Sequence, residues 1–313
     1  MTVAIRPLAE GHLAEADRIF RLAFGTFMGM DDPMTFAGDS DWTRTRWRSD
    51  PEGTFGAYDG DTLVGSNFAT RWGSFGFFGP LTVHPDLWNG GVAKRLLEAT
   101  MARFEVWGVR HTALFTFAQS TKHVGLYQKF GFWPQQLTMV MSKVAERGSA
   151  TATGSFFSRT PAPDRPALLA RCAALTDAVL PGLDVRREIE SVDGQKIGDT
   201  LLLGAGNRLS GLAVCHIGKG SEAGSGTTYV KFAAVCPGPD APRNFTKLLE
   251  ACEGLAAVRQ ARVVVGGVNT ARGQAYRTML ERGYRAVIQG VAMQRPDEPG
   301  TNRPDCFVID DWR

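Results

Sequence analysis

The same order of secondary-structure signals runs through this chain twice, and that repetition limits the available folds more than any single motif does. In the first half "TVAIRPL" reads as a strand, and "LAEADRIFRLAF" as a helix with Leu13, Ile19, Phe20 and Phe24 at helical spacing. "GTFGAYDGDTLVGSNFATRW" reads as two strands about the Asp59-Gly60 turn, followed by the strand "SFGFFGPLTVHP" and the helix "VAKRLLEATMARFEVWG". The strand "HTALFTFA", the short helix "STKHVGLYQKFG" and the strand "FWPQQLTMVMSK" complete the set. The second half answers with the hairpin "TLLLGAGNRLSGLAVCHIG", then "TTYVKFAAVCP", "NFTKLLEACEGLAAVRQ", "RVVVGGV", "GQAYRTMLERG" and "YRAVIQGVAMQ". One offset of 152 residues relates Val83 to Val235 and Gly131 to Gly283. Between the halves, Ala145 to Ala167 is poor in large aliphatics and rich in Gly, Ser, Thr and Pro, the composition of a linker.

The 313 residues therefore divide into an expected domain at 1–148, a linker at 149–164 and a second domain at 165–313. Each domain is close to the size at which a core of about 150 residues closes on itself. Strands alternating with helices make the expected class α/β (α+β).

Composition excludes several roles. A formal charge of +3 spread over the chain is no nucleic-acid footprint, and no run of about 18 apolar residues offers a membrane span. With no secretory pattern in "MTVAIRPLAEGH", the expectation is a cytoplasmic protein, monomer or homodimer, with neither nucleic acid nor membrane as partner. All five cysteines lie in the second half without Cys-x-x-Cys spacing, and the five histidines form no His-x-x-x-His pair. Reduced thiols and no metal are expected.

The chemistry concentrates in "LTVHPDLWNGGVAKRLL", Leu81 to Leu97. A strand, a glycine turn and a helix start aim unpaired backbone N–H groups, and the positive end of the helix dipole, at one point. Such a point binds phosphate oxygens. Glycine serves dihedrals closed to other residues and leaves room for a pyrophosphate against the backbone. The same letters also suit an ordinary strand-to-helix turn.

"WNGGVA", with "VHP" before it and "KRLL" after, resembles the acyl-CoA-binding loop of the GNAT superfamily of N-acyltransferases. That pattern is Gln or Arg, two residues, Gly, one residue, then Gly or Ala; Gly91 and Ala93 match, and Trp88 stands where the family has Gln or Arg. "GLYQKFGFWP" resembles the family's second signature. The resemblance covers residues 3 to about 145 closely and 165 to 295 more faintly. It implies two tandem GNAT-like domains, each a twisted mixed β-sheet flanked by helices. Phe78 to Val83 and Thr112 to Phe117 would splay apart around the pantetheine arm.

By the same resemblance, the backbone of Leu81 and Val83 would bond to that arm, and the N–H groups of Asn89, Gly90, Gly91, Val92, Ala93 and Lys94 would hold the pyrophosphate, with Trp88 and Ser120 beside the coenzyme. Tyr127 occupies the place of the acid that protonates the departing thiolate. The implied activity is transfer of an acetyl (or other acyl) group from acetyl-CoA to a primary amine of a small molecule. A mycothiol-synthase-like transferase, or a non-catalytic acyl-CoA-binding or interaction module, is the alternative. Ser74 to Val83 carries no carboxylate where several family members have a glutamate, so the ammonium proton would leave through water, His84 or a group outside the strand, while His84 and His123 also suit a turn and a helix surface.

In the second half the 152-residue offset puts Pro242 at Gly90, Arg243 at Gly91, Phe245 at Ala93 and Met279 at Tyr127. Bulk replaces clearance, proline removes a donor and the acid is gone, so this copy is expected to be degenerate. The acceptor is expected near "FGTFMGMDDPMTFAGDSDW", where Phe24, Phe27, Met28 and Trp42 beside Asp31 would make an apolar pocket for a cationic amine, or else cover the seam between domains. Arg44, Arg46 and Arg48 suit an anion or a solvated face, and the tail "RPDCFVIDDWR" is apolar enough to dock on a domain.

Overall fold

The computed structural model describes residues 3–145, 154–205 and 208–313. In chain order the elements of the first half are β1 (Val3–Pro7), α1 (Leu13–Phe27), α2 (Thr43–Ser49), β2 (Thr54–Asp59), β3 (Thr62–Trp72), β4 (Phe75–Phe78), β5 (Thr82–Val83), α3 (Val92–Val106), β6 (His111–Thr116), α4 (Thr121–Gln128) and β7 (Trp133–Val144). The second half continues with β8 (Ser155–Phe156), α5 (Arg165–Val179), α6 (Arg186–Gln195), β9 (Gly198–Ala205), β10 (Arg208–Gly218), β11 (Gly224–Val235), α7 (Ala241–Val258), β12 (Val263–Asn269), α8 (Gly273–Glu281), β13 (Arg285–Arg295) and β14 (Val308–Ile309). Residues 149–153 of the expected linker lie outside the described residues, as do 146–148 and 206–207, while β8 falls in the linker's described part.

The α/β architecture has helices on a mixed sheet, and the periodicities explain why. In α3, Leu96, Leu97, Thr100, Met101 and Phe104 fall on one face and are buried, while Lys94 and Glu98 face water. The landmarks at the 152-residue offset are equivalent in structure. Val83 and Val235 both end strands, and Gly131 and Gly283 follow α4 and α8 with φ of 81° and 90°, the left-handed conformation that closes a helix. The expected single strand at "SFGFFGPLTVHP" is broken into β4 and β5. The helices α2, α5 and α6 were not among the expected elements, although Leu168, Cys172, Leu175 and Val179 of α5 are spaced as one helical face.

The two halves share one 14-stranded sheet in the order β1-β2-β3-β4-β6-β13-β7-β12-β11-β10-β9-β8, with β5 paired to β3 and β14 to β11 off that line. At its middle the last long strands change places. β13 of the second half pairs with β6 of the first, Val291 opposite Thr116, and β7 of the first half pairs with β12 of the second, Met139 opposite Val268. β7 and β13 also pair antiparallel with each other. Each half thus completes its sheet with a strand from the other, and main-chain hydrogen bonds cross the seam.

Candidate active site

The cleft of the first half is made by two strands that part. β4 and β6 pair in parallel at Phe75 with His111, Gly76 with Thr112 and Phe77 with Ala113, and among the described residues the ladder goes no further. β5 stays on β3, Gly65 opposite Val83. Between the Ala69–Phe78 and Ser66–Thr82 pairs, three steps along β3 face four along the other side, so one extra residue is absorbed as a bulge at Gly79 to Leu81. On its far side β6 is held by β13. Phe78, Leu114, Tyr127, Phe132, Val291 and Met293 form one buried cluster here, with Leu81 packed against it.

At the mouth of this gap His84 to Gly91 lead into α3. The His84 ring accepts the Asp86 N–H at 3.4 Å, which makes it a turn residue. The Trp88 indole N–H donates to the Val83 carbonyl at 2.8 Å, tying the loop back to the end of β5, and Lys122 stands 6.0 Å from the indole ring. This is the use the chain makes of a tryptophan where a flexible polar side chain was expected.

Asn89 and Gly91 take left-handed conformations, φ 69° and 80°, whereas Gly90 does not. A Cβ on Gly91 would meet nothing within 4 Å, so the space in front of it is open. The Gly90 N–H is spent on the Leu87 carbonyl at 3.2 Å. Those of Asn89, Gly91, Val92, Ala93 and Lys94 have no partner among the described residues, and Gly91 caps α3 without a side-chain bond. The buried Val92 side chain anchors the turn. The cradle fits a pyrophosphate: five donors at a helix start, open in front, as phosphate recognition needs.

Tyr127 lies on α4 with its ring 5.8 Å from that of Phe78, on the wall of the cleft. Burial pushes its phenol well above the usual tyrosine range. Ser120 precedes the first residue of α4; its carbonyl accepts the Val124 N–H at 3.0 Å and its side chain makes no capping bond. His123, one turn before Tyr127 and so on the same face of α4, is half-buried with its ring 5.2 Å from Phe27, whose other neighbour is Phe117 at 5.4 Å. Burial, helped by Lys122, lowers the basicity of His123.

The expected acceptor residues divide. Phe27 arches from the end of α1 to the end of β6, with Met28 exposed beside it. Phe24 stacks on Phe36 at 5.3 Å, in an aromatic group that includes Phe20 and Trp42. Asp31 is exposed, and Asp32 is taken up in capping the Met34 N–H at 3.0 Å. Trp42 reaches the seam, 6.3 Å from Tyr229.

The matching place in the second half is closed. β11 and β12 run parallel as far as Val230 and Gly266, and beyond them β14 enters the gap, pairing Ala233 with Ile309 and Ala234 with Val308. The Asp310 N–H donates to the Gly267 carbonyl at 3.0 Å. Only five residues, Cys236 to Asp240, join β11 to α7, where the first half spends eight, and Phe245 is fully buried with its ring 5.5 Å from Phe307 of the tail. Met279 is buried at the place of Tyr127. The tail does dock, and it docks in this cleft.

Arg46 overturns the expectation of a solvated or anion-binding face. It is buried and forms a two-pronged pair with Glu222 at 3.0 and 3.1 Å, while Arg44 and Arg48 stay exposed. Lys231 joins Glu222 at 2.7 Å to Glu188 at 3.0 Å, and His216 lies 3.4 Å from Glu188. Burial would raise the Glu188 carboxyl, but Lys231 and then His216 reverse this and hold it at about 2. No local pattern announces this network, because Arg46 and Glu222 are 176 residues apart. Gly266-Gly267 inside a strand was the readable sign of the tail, since paired glycines there mark a close backbone approach.

Residues 17–132 match the model of the acetyltransferase (GNAT) family. The chain carries a GNAT acetyltransferase domain. It is an enzyme of that acyltransferase type, in a family whose acyl donor is acetyl-CoA. Solved structures resemble it over nearly its whole length. A Pyrococcus horikoshii protein to which acetyltransferase activity is ascribed is 16% identical, with a TM-score of 0.69 over 99% of this chain and 95% of its own. A GCN5-related N-acetyltransferase from Sphaerobacter thermophilus is 15% identical, with a TM-score of 0.58 over 94% of this chain and 95% of its own. A third, from Anabaena variabilis, is 14% identical, with a TM-score of 0.54 over 94% of this chain and 72% of its own. At these identities the likeness speaks for the fold. No curated protein matches the chain. Among the described residues no helix is long and apolar enough to cross a membrane.

Proposed function

We propose that the first half, residues 1–148, binds acetyl-CoA and transfers its acetyl group to a primary amine of a small molecule by direct attack, and that the second half, 165–313, is a degenerate copy that binds none. The observation that carries this reading is the pairing of an open strand splay with five unpartnered N–H groups at its mouth and a buried tyrosine on its wall. Bound acetyl-CoA supplies an activated thioester carbonyl. The N–H groups of Asn89, Gly91, Val92, Ala93 and Lys94 hold its pyrophosphate, and the main chain of Leu81 orients the arm between β5 and β6.

Tyr127 returns a proton to the leaving thiolate. Its raised pKa keeps the phenol protonated throughout the neutral range, so a donor stands ready for the sulfur as the C–S bond breaks, and the proton given up by the acceptor amine restores it afterwards. The ammonium of the acceptor must first lose a proton. His123, neutral at pH 7 because burial lowers its basicity, is the group this reading gives that step. Phe27 and Met28 line the way in for the amine, and Asp31 gives its charge a partner at the entrance.

A panel of small amines mixed with acetyl-CoA, followed by release of free thiol, tests the reading. Turnover with at least one amine is expected, with Tyr127→Phe slower by roughly 10²-fold or more at unchanged affinity for acetyl-CoA. Binding of acetyl-CoA without turnover of any amine would contradict the transferase assignment.

A further inference from the structure

The tail that closes the second cleft does not stop there. Beyond Ile309, Asp310 pairs with the buried Arg272 at 2.7 Å, and Asp311 accepts the Tyr229 hydroxyl at 2.8 Å. Trp312 then packs its ring 5.4 Å from Phe75 of β4, within the core it shares with Trp72 and Phe77. Arg313 lies over the rings of Tyr229 and Trp42, with its guanidinium 3.1 Å from Asp311. Its main-chain oxygen accepts a hydrogen bond from Nη2 of Arg46.

Arg46 connects this to the active cleft. Its Nε and Nη2 are held by Glu222, which Lys231 holds in turn, and its Nη1 donates to the Gly79 carbonyl at 2.5 Å. Gly79 opens the bulge, one residue past Phe78, where the main chain leaves the line of β6 and turns toward Leu81 and β5. An arginine here has three jobs at once: a carboxylate, the tail and the bulge. Its planar fork meets all three, which a single ammonium cannot.

We propose that the docked tail and Arg46 act as a positioning device for the acyl-donor arm: with the tail seated in the second cleft, Arg46 fixes the Gly79 to Leu81 main chain in the first. The degenerate copy thereby has a use in the reaction, as the seat of a strut that reaches the other copy's bulge. The inference rests on the reading that the first cleft takes acyl-CoA. It also separates two parts of that cleft, because the strut ends at the bulge, which faces the pantetheine arm, and among the described residues Arg46 has no hydrogen bond to the pyrophosphate loop at Trp88 to Lys94.

Two ligands distinguish those parts: acetyl-CoA, and 3′-phosphoadenosine 5′-diphosphate, which stops at the pyrophosphate. Calorimetry on the full chain compares wild type, Gly267→Val and Arg46→Lys. In Gly267→Val the new Cβ falls 2.2 Å from the Asp311 Cβ and must displace the tail, from a strand of the second half. Arg46→Lys keeps the charge and loses the fork. Both are expected to bind acetyl-CoA about tenfold more weakly, the loss of one well-oriented contact region, with the affinity for the shorter ligand unchanged. Trp312→Phe is expected to keep the wild-type ratio, since it preserves the ring on Phe75 and the Trp312 indole N–H has no partner to lose. Equal weakening of both ligands, or of neither, in the two disruptive variants would overturn the proposal. Should Gly267→Val fail to fold, Arg46→Lys decides alone. Wild-type protein that binds neither ligand would instead remove the acyl-CoA reading itself, and the strut with it.

Discussion

In the first half β4 and β6 separate after Phe77, and the gap opens on a loop with five unpartnered N–H groups; in the second, β11 and β12 separate after Val230, and the gap is filled by β14. One topology has therefore met the same problem in two ways. Strands that part leave main-chain groups without a ladder, and these must find another partner or face solvent. The second half supplies the partner from its own chain, shortens the loop before α7 and buries Phe245 where a small residue stood. The first leaves the place for a ligand. A cleft of this kind is made by what is withheld from it as much as by the residues that line it.

The comparison can be broken most forcefully at the acid. Tyr127→Phe is expected to lower kcat by roughly 10²-fold or more, whereas Met279→Tyr, its mirror in the second half, is expected to add no activity because β14 occupies that cleft. Steady-state thiol release on both variants checks this, and a gain from Met279→Tyr would show that the second cleft opens.

Next in size is the seam that holds the halves together. Glu222→Gln leaves Arg46 and Lys231 buried without their shared carboxylate, and the expected loss of stability is about 3 kcal/mol in denaturant melts. A loss under about 1 kcal/mol, the scale of an exposed ion pair, would mean that water reaches the network.

A smaller effect concerns pH. His123 works as a base only when neutral, and its pKa is lowered, so neutrality persists to a more acid pH than for an ordinary histidine. The acid limb of kcat/KM is then expected below the ordinary value of 6.5, and His123→Asn should abolish that limb and slow the reaction about tenfold. An unchanged limb in that variant would take the step away from His123. The smallest effect is expected at Trp88. Trp88→Phe removes one hydrogen bond, to the Val83 carbonyl, and should weaken acetyl-CoA binding by a few fold, about 1 kcal/mol, through a looser loop.

Much of this was legible in the chain. Alternation and helical spacing located most strands and helices of the first half, because each buries one face on its own half's core. The loop from His84 to Lys94 was readable from its glycines, although left-handed backbone falls on Asn89 and Gly91 while Gly90 spends its N–H inside the turn. Strand exchange was not legible. β7 and β13 have the same alternation whichever neighbour they pair with, so pattern alone does not say which half they complete. Arg46 looked like one of three alternating surface arginines, since burial depends on Glu222 and on a tail brought in from the far end of the sequence. Trp88 looked like a departure from a motif. Its meaning depends on a carbonyl five residues back, at the end of a strand only two residues long.

The most direct test of the asymmetry between the clefts is a count. Calorimetric titration of the full chain with acetyl-CoA should give one site per chain. Gly91→Asp should abolish it without unfolding the protein, since aspartate tolerates the left-handed conformation and suits a helix start while its carboxylate repels the pyrophosphate. Two equal sites per chain, or one site that survives Gly91→Asp, would contradict the assignment of coenzyme binding to the first half alone.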